Sequence, residues 1–258
     1  MSLALVTGAS SGIGADLARI HAEKGGDLLV VARRRDRLDA LKAEIEGRHG
    51  TSVQVVEADL STPEGVDATE RAAEGLEVDV LINNAGFGGR GTHLERPRED
   101  ELRMIDLNCR ALVDLSHRFA APMVARGRGR ILQVGSTAGL MPGPWQATYF
   151  ATKAFVNSFS QALSEELRGT GVTCTVLAPG AVDTEFVDVA KMRGLDAFKT
   201  AKSSRSVAEF GYRAMERGEL VAINEPALRA AARTLPLLPR RAVLRIARQF
   251  MNKGLQGA

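Results

Sequence analysis

Short apolar runs alternate with segments of helical periodicity along most of the chain. Seven apolar runs predict strands, at residues 3–6, 27–32, 52–57, 78–83, 130–135, 172–178 and 220–223. The segments between them predict helices at residues 12–24, 35–49, 63–74, 102–126, 149–168 and 207–217. The strand runs are apolar at consecutive positions, as in strands that are buried on both faces. This alternation predicts an α/β fold around a parallel sheet.

Composition sets limits on the class of protein. Of the 258 residues, 45% are hydrophobic and 25% are charged, which excludes a disordered chain and a bundle of membrane helices. No composition break occurs before about Pro226, so we expect one domain at residues 1–226 and a tail at residues 227–258. Cys109 and Cys174 cannot form a disulfide scaffold, and the four histidines are scattered, so no metal site is predicted.

The net charge of +3 comes from the C-terminal tail. Residues 227–258 contain seven basic side chains and no acidic one, whereas the other 27 basic side chains are outnumbered by 31 acidic ones. This distribution does not predict a nucleic-acid-binding domain. The N-terminus lacks the features of a signal peptide, and no apolar stretch reaches the ~18 residues of a membrane span. We therefore expect a cytoplasmic protein.

A glycine-rich segment joins the first predicted strand to the first predicted helix. It has the sequence Thr-Gly-Ala-Ser-Ser-Gly-Ile-Gly at residues 7–14. Glycines allow the backbone to turn tightly and to approach a ligand, and the N-terminus of the helix offers N–H groups to a pyrophosphate. The segment predicts a dinucleotide site, and the alternative is a glycine-rich turn without a ligand.

The end of the second predicted strand distinguishes between two dinucleotides. An acidic residue there would bind the ribose 2′-hydroxyl of NAD, but the chain continues with Arg33 and Arg34 and has no acid before Asp36. Guanidinium groups bind phosphate with paired hydrogen bonds, so these arginines predict a preference for NADP(H) over NAD(H). The alternative is a solvated helix N-terminus, where arginines would oppose the helix dipole.

Polar residues also follow the third and fourth predicted strands. Asp59 and Leu60 follow the third strand, where Asp59 lies either beside the adenine or in the helix N-cap before Pro63. The fourth strand ends with Asn-Asn-Ala-Gly at residues 83–86. These small and amide residues suit a crevice in which the backbone meets a ligand, or a turn rich in asparagine and glycine.

A tyrosine and a lysine lie one helical turn apart. Lys153 follows Tyr149 by four residues, so the two side chains share one face of the predicted helix. Ser136 directly follows the apolar run that predicts the fifth strand. An ammonium group beside a phenol favours the phenolate, so Lys153 would lower the pKa of Tyr149 from about 10 and allow proton exchange. Taken alone, such a pair is more often a packed tyrosine beside a lysine that reaches solvent.

These motifs occur together and in order. Residues 7–14, NNAG at 83–86, Asn108, Ser136, YFATK at 149–153 and PGAVDT at 179–184 resemble the short-chain dehydrogenase/reductase family. The resemblance spans residues 3 to about 223 and extends to a bacterial branch related to steroid and 3-ketoacyl reductases. It implies a Rossmann-like, doubly wound parallel sheet in one domain. It also implies an NADP-dependent enzyme that moves a hydride between the nicotinamide and a carbonyl or secondary alcohol.

The resemblance implies a role for each matching residue. Tyr149 would be the general acid in reduction and the base in oxidation. Lys153 would lower the pKa of Tyr149, and Ser136 would orient the carbonyl, while Asn108 would hold a water next to Lys153. Asn84 would contact the adenine-side ribose, and Val182 and Thr184 the nicotinamide. The implied nucleotide contacts are Gly8, Ser10, Ser11, Gly12, Ile13, Gly14, Arg33, Arg34, Asp59, Leu60, Asn84, Ala85, Gly86, Tyr149, Lys153, Pro179, Gly180, Val182 and Thr184.

Two other functions stay open beside this one. A non-catalytic NADP-binding redox sensor would share the fold, although such proteins typically lose the tyrosine or the lysine. A sugar-nucleotide epimerase or dehydratase would have the pattern T-G-x-x-G-x-x-G and a larger substrate domain, and the sequence has neither. The resemblance also implies a homodimer or a homotetramer.

Apolar residues near the motifs bear on the substrate. Phe87, Met141, Pro142, Trp145 and Phe186 either line the cleft or belong to the core or a subunit contact. In the first case the substrate is apolar around its carbonyl. Residues 188–204, where such enzymes keep a substrate lid, are polar and give no substrate signature.

The tail predicts a basic amphipathic helix at residues 240–252. Val243, Ile246, Ala247 and Phe250 share one face, and arginines occupy much of the other. We expect this helix to pack on its own subunit or a neighbouring one. The alternative is binding to an anionic membrane or to an acidic carrier.

Overall fold

The computed structural model describes residues 2–190 and 200–252, in which strands and helices alternate. The main sheet contains β1 (Leu3–Thr7), β2 (Asp27–Ala32), β3 (Val53–Glu57), β4 (Val78–Asn83), β5 (Gly129–Val134), β6 (Val172–Leu177) and β9 (Val221–Ala222). Two short strands, β7 (Val182–Asp183) and β8 (Lys202–Ser203), pair only with each other.

The helices occupy the connections between strands. They are α1 (Gly12–Glu23), α2 (Arg35–His49), α3 (Pro63–Ala72), α4 (Arg98–Ile105), α5 (Leu112–Arg126), α6 (Ala147–Glu166), α7 (Glu185–Val189), α8 (Ser204–Glu216), α9 (Pro226–Thr234) and α10 (Arg240–Asn252). A π-helical turn at Asp106–Ala111 joins α4 to α5. Two 3-10 turns lie at Thr137–Leu140 and Leu235–Leu237.

The main sheet is parallel, with the strand order β3-β2-β1-β4-β5-β6-β9. The predicted α/β class, the Rossmann-like sheet of seven strands and the single domain are confirmed. The strand order reverses between β1 and β4. In open α/β sheets such a reversal leaves a crevice at the carboxyl ends of the strands, which is where ligands bind.

The alternating side chains of β1 explain its continuous apolar sequence. Ala4 and Val6 enter a core cluster together with Leu17 of α1, whereas Leu5 enters the opposite cluster together with Leu115 of α5. Successive side chains of a strand point to opposite faces, so a sheet covered on both faces needs apolar residues at every position. Burial of one leucine side chain contributes about 1.5–3 kcal/mol.

The helix predicted at residues 102–126 is confirmed in part, because the chain is helical there but the helix begins at Arg98 and contains a π-helical turn. The structure has α4, then the π-helical turn Asp106–Ala111, then α5. A π turn inserts one residue into a helix, and such insertions are common at functional sites. Asn108 lies in this turn with 2% exposure. The chain stays helical through the π turn, which explains why the sequence predicts a continuous helix.

The tail forms α9, a 3-10 turn and α10. The helix predicted at residues 240–252 is α10, which has the same bounds. Its buried face is rotated from the predicted one. Val243, Ala247 and Met251 are 1–5% exposed, whereas Ile246 is 44% exposed. The side chain of Phe250 lies outside the described part. Within the described ranges, no helix is long and apolar enough to cross a membrane.

Candidate active site

The loop between β1 and α1 has the geometry of an anion site. Gly8 and Gly12 have φ angles of 65° and 57°, which glycine adopts without strain. A Cβ at Gly14 would lie 2.4 Å from the carbonyl oxygen of Gly8, so the loop folds tightly onto α1. The Ser11 side chain makes no capping hydrogen bond in the described structure. The N–H groups of the first helical turn can therefore bind a phosphate.

One hydroxyl group joins this loop to the end of β4. Thr7 Oγ1 accepts hydrogen bonds from the backbone N–H groups of Asn84 and Ala85, both at 3.0 Å, and donates to the Ile82 carbonyl at 3.3 Å. In return, Asn84 Nδ2 donates to the carbonyl oxygens of Thr7 and Gly8 at 3.0 and 3.2 Å. The contact of Asn84 with a ribose stays a prediction. Its observed contacts hold the two sides of the crevice together.

Arg34 bridges the glycine loop and the segment after β7. Its guanidinium donates to the hydroxyls of Ser10 and Ser11 at 3.1 and 2.8 Å. It also pairs with the Glu185 carboxylate at 2.8 Å, and the hydrogen bond from Arg34 is the main cause that lowers the pKa of Glu185. The sequence did not identify Glu185, which follows PGAVDT directly. The sequence feature that points to Glu185 is its position directly after this motif.

Arg33 follows β2 directly and lies near the end of β3. Its Nη1 is 3.9 Å from the carboxylate of Asp59, which also accepts hydrogen bonds from the N–H and hydroxyl of Ser61 at 2.9 and 2.6 Å. Burial alone would raise the pKa of Asp59, but the Ser61 bonds and the Arg33 charge outweigh burial and lower it. Thr62, not Asp59, caps α3. Leu60 is buried in the core, so only its backbone can contact a nucleotide.

Asn108 connects the π turn to the end of β4. Its Oδ1 accepts from the Phe87 N–H at 3.1 Å, and its Nδ2 donates to the Phe87 carbonyl at 2.9 Å and to Thr152 Oγ1 at 3.1 Å. A Cβ at Gly86 would lie 3.0 Å from Asn108 Oδ1 and 3.7 Å from Lys153 Nζ. Asn108 therefore positions the backbone beside Lys153. Its role with a water stays a prediction.

Tyr149, Ser136 and Lys153 meet near the carboxyl end of β5. The Tyr149 side chain forms a hydrogen bond with that of Ser136, whose Oγ also accepts from the Ala138 N–H at 3.0 Å. Lys153 Nζ donates to the Val134 carbonyl at 2.8 Å and lies 5.9 Å from the centre of the Tyr149 ring. The structure thus brings three of the predicted catalytic side chains together, with Asn108 next to them.

Burial dominates the electrostatics of this pair. It raises the pKa of Tyr149 to about 12, against the hydrogen bond from Ser136, which lowers it. Burial also lowers the pKa of Lys153 to about 8. The sequence-based expectation that Lys153 lowers the pKa of Tyr149 is not met in this structure. The ammonium group is turned toward a backbone carbonyl and is itself destabilised by burial.

The segment after β6 borders the crevice opposite β2. Pro179 and Gly180 follow β6, and Val182 in β7 is 8% exposed. The Cγ2 of Thr184 would lie 3.1 Å from a Cβ at Gly12, so Thr184 lies directly over the glycine loop. Of the substrate lid expected at residues 188–204, residues 191–199 lie outside the described part.

An apolar cluster surrounds the Tyr149 ring. Its members besides Tyr149 are Met104, Phe150, Met251, Phe87, Ala138, Met141, Trp145 and Phe186. The ring of Phe186 is centred 5.3 Å from that of Tyr149. Four of the five apolar cleft candidates from the sequence belong to this cluster, whereas Pro142 is exposed. The surroundings of the phenol are therefore apolar.

A buried carboxylate holds the first turn of α6. Glu101 of α4 accepts hydrogen bonds from Arg96 and from the hydroxyl of Thr148, which precedes Tyr149. Burial alone would raise the pKa of Glu101, but these two bonds and the charge of Arg96 outweigh it and lower the pKa. No local pattern predicts this contact, because the partners lie 47 residues apart.

The fold and the site together define a dinucleotide-dependent protein with groups suited to proton transfer. The model of the family described as short chain dehydrogenase matches residues 2–193. A sulfoacetaldehyde reductase of Chromohalobacter salexigens is 38% identical over 79% of this chain and 84% of its own.

Two solved structures extend the comparison. A short-chain dehydrogenase from Sphingobium yanoikuyae in complex with NADPH is 34% identical, with a TM-score of 0.82 over 94% of this chain and 98% of its own. A short-chain dehydrogenase/reductase from Burkholderia phymatum in complex with NAD is 26% identical, with a TM-score of 0.83 over 92% and 94%. The chain belongs to the short-chain dehydrogenase/reductase family. It is an oxidoreductase that acts on CH–OH and C=O groups and binds NAD(P)(H).

The hydroxyl that joins the two sides of the crevice can be removed by Thr7→Val. We expect a loss of about 2–4 kcal/mol in the free energy of unfolding, because two backbone N–H groups lose their acceptor. Urea unfolding measures the loss, and NADPH fluorescence measures the weaker binding that should accompany it. Thr7→Ser retains the hydroxyl and should stay close to the original protein. Equal stability of the two variants would contradict the assignment.

Proposed function

We propose that the chain is an NADP(H)-dependent oxidoreductase for small, apolar ketones or secondary alcohols, with Tyr149 as general acid and base. The observation that carries the proposal is the Tyr149 side chain, which is hydrogen-bonded to Ser136 within an apolar cluster and lies one helical turn from Lys153. A phenol in this setting can donate to a substrate oxygen that the Ser136 hydroxyl also binds.

The residues of the chain supply the proton and the orientation. A bound dinucleotide supplies the hydride in reduction or accepts it in oxidation. As the carbonyl oxygen gains negative charge, the proton of Tyr149 passes to it, and the Ser136 hydroxyl favours the phenolate left behind. In oxidation the phenolate takes the proton from the alcohol. Asn108 supports this arrangement through Phe87 and Thr152.

The preference for NADP(H) is part of the proposal. Relatives contain NADPH or NAD, so the family alone does not decide between them. Arg33 and Arg34 support NADP(H), because two guanidinium groups flank the space beyond β2 and no acidic residue ends that strand. Asp59 next to Arg33 is compatible with a contact to the adenine rather than to the phosphate.

Replacement of the proposed general acid tests the reaction. We expect Tyr149→Phe to lower kcat for ketone reduction by at least about 10²-fold, because the variant lacks the hydroxyl that donates the proton in the proposed reaction. NADPH affinity, measured by fluorescence titration, should change little. The control is Tyr212→Phe. Tyr212 is the other tyrosine of the chain, and its hydroxyl forms a 2.7 Å hydrogen bond with Nδ1 of His21 in α1. Near-normal turnover of Tyr149→Phe would refute the assignment.

The phosphate contact is tested at Arg33. We expect Arg33→Ala to weaken NADPH binding roughly tenfold while NADH binding changes little, because a charge-assisted hydrogen bond contributes about 1.5–3 kcal/mol and this side chain is partly exposed. The matched control is Arg35→Ala, because Arg35 pairs with Asp39 on the surface of α2. Equal losses for the two nucleotides would exclude a contact of Arg33 with the 2′-phosphate.

We also propose that the protein is a homodimer through α4 and α6. Leu102 and Ile105 of α4 and Phe155 of α6 are 42–44% exposed, and Phe155 stacks on Phe159 with centroids 5.9 Å apart. Ile105 also borders a depression of about 450 Å³ in the same region. Clustered exposed apolar side chains of this kind are typical of protein interfaces.

Light scattering after size-exclusion chromatography tests the dimer. We expect twice the 27.6 kDa of one chain, or a further doubling if dimers pair. Phe155→Glu should shift the mass toward one chain, because it introduces a charge into the proposed interface. Leu220→Glu is the control, since Leu220 is 48% exposed and lies between α8 and β9, outside α4 and α6. A monomer for the unsubstituted protein would exclude the dimer.

A further inference from the structure

The C-terminal helix α10 contributes to the apolar cluster around Tyr149. Met251 is 5% exposed and belongs to that cluster, together with Met104 and Phe150. Ala247 and Val243, one and two turns earlier, are 1% and 2% exposed. The three residues form one continuous stripe, because positions four apart share a helix face. The tail therefore covers the region of the proposed active site.

Two basic side chains hold the end of α10 in place. Arg90, from the loop after β4, donates to the Met251 carbonyl at 3.4 Å. A cation is favourable at the C-terminal end of a helix, where the carbonyl groups lack partners. The guanidinium of Arg248 lies 5.9 Å from the centre of the Trp145 ring, within range of a cation–π interaction.

The loop that contains Trp145, which Arg248 contacts, is strained at one residue. Trp145 has a φ angle of 62°, and it is the one non-glycine residue with positive φ in residues 2–190 and 200–252. This conformation is strained for a residue with a side chain, and strained residues of this kind concentrate at functional sites. The Trp145 carbonyl accepts from the Gly91 N–H at 3.0 Å, next to Arg90. The two loops that contact α10 are thus tied to each other.

We propose that α10 is the roof of the substrate cleft and that Met251 determines the size of the group that fits beside the reacting carbonyl. The inference rests on the proposed function. Since Tyr149 is only 9% exposed, the substrate has to take space that apolar side chains of the cluster now occupy. Met251 is the side chain that α10 contributes there. The roof is apolar, so that group is an uncharged alkyl or aryl substituent.

Variants of Met251 test the size limit with a series of methyl ketones that carry ethyl, phenyl or naphthyl groups. We expect Met251→Ala to raise kcat/KM for the naphthyl ketone about tenfold relative to the ethyl ketone, because each lost methylene of a pocket changes discrimination by roughly 10-fold or more. Met251→Trp should change the same ratio by a similar factor in the opposite direction. NADPH affinity should stay within about twofold for each variant.

The control on the same helix is Leu244→Ala. Leu244 is 44% exposed, so this variant removes an apolar side chain of α10 without changing the roof. Its selectivity ratio should equal that of the original protein. An unchanged ratio in both Met251 variants, or an equal change in Leu244→Ala, would overturn the inference.

Trp145 gives a second measurement that needs no turnover. It is the only tryptophan of the chain, so its fluorescence reports directly on the contact with α10. We expect Met251→Ala and Arg248→Ala to make acrylamide quenching of Trp145 about twofold more efficient, while Leu244→Ala and Arg245→Ala leave it unchanged. Equal quenching in all variants would overturn the roof.

The two proposals fail in different ways. If the unsubstituted protein reduces no ketone with NADPH, the proposed function fails, and the quenching of Trp145 still decides whether α10 covers the cluster. If the protein is active and the Met251 variants leave selectivity unchanged, the proposed function stands and the inference is wrong.

Discussion

The site depends on one hydroxyl group at the point where the strand order reverses. Parallel strands that diverge at a reversal leave backbone N–H groups without partners at their carboxyl ends, and each buried group left unpaired costs about 1–3 kcal/mol. Thr7 Oγ1 accepts hydrogen bonds from two such groups, the backbone N–H groups of Asn84 and Ala85, which follow β4. On one side of this contact, Thr7 continues into the glycine-rich loop. On the other side, the chain continues to Phe87, which forms two hydrogen bonds with Asn108 of the π-helical turn.

The buried Tyr149 and Lys153 side chains show what the fold has to overcome. A shift of the Tyr149 pKa from 10 to about 12 corresponds to about 3 kcal/mol against the phenolate. Burial also lowers the pKa of Lys153 to about 8. It therefore disfavours the ammonium form, whose positive charge would favour a phenolate. Burial excludes water from the Tyr149 phenol and the Lys153 amine but disfavours the charged form of each. The Ser136 hydrogen bond is the contact in the structure that opposes the upward shift of the Tyr149 pKa.

Sequence reasoning succeeded where local pattern and local structure coincide. Every strand of the main sheet was found, since burial on both faces requires a continuous apolar run. Tyr149, Lys153 and Ser136 were found because one helical turn and one strand end fix their relation. The contacts of Glu185 with Arg34 and of Glu101 with Thr148 were missed, since they join residues 151 and 47 positions apart. The buried face of α10 was misjudged because Ile246 and Met251 are both apolar and only the tertiary packing selects between them.

The basic tail illustrates how one amphipathic pattern fits several partners. A surface helix with a cationic face could bind an anionic membrane, but its apolar stripe of Val243, Ala247 and Met251 is already buried on the chain itself, with Met251 in the cluster around Tyr149. Membrane binding would therefore uncover Tyr149's surroundings. The contacts at the end of α10 are individually weak, since a cation–π pair contributes about 0.5–1 kcal/mol and a long hydrogen bond no more. Displacement of this end alone would therefore cost less than unfolding of the whole chain.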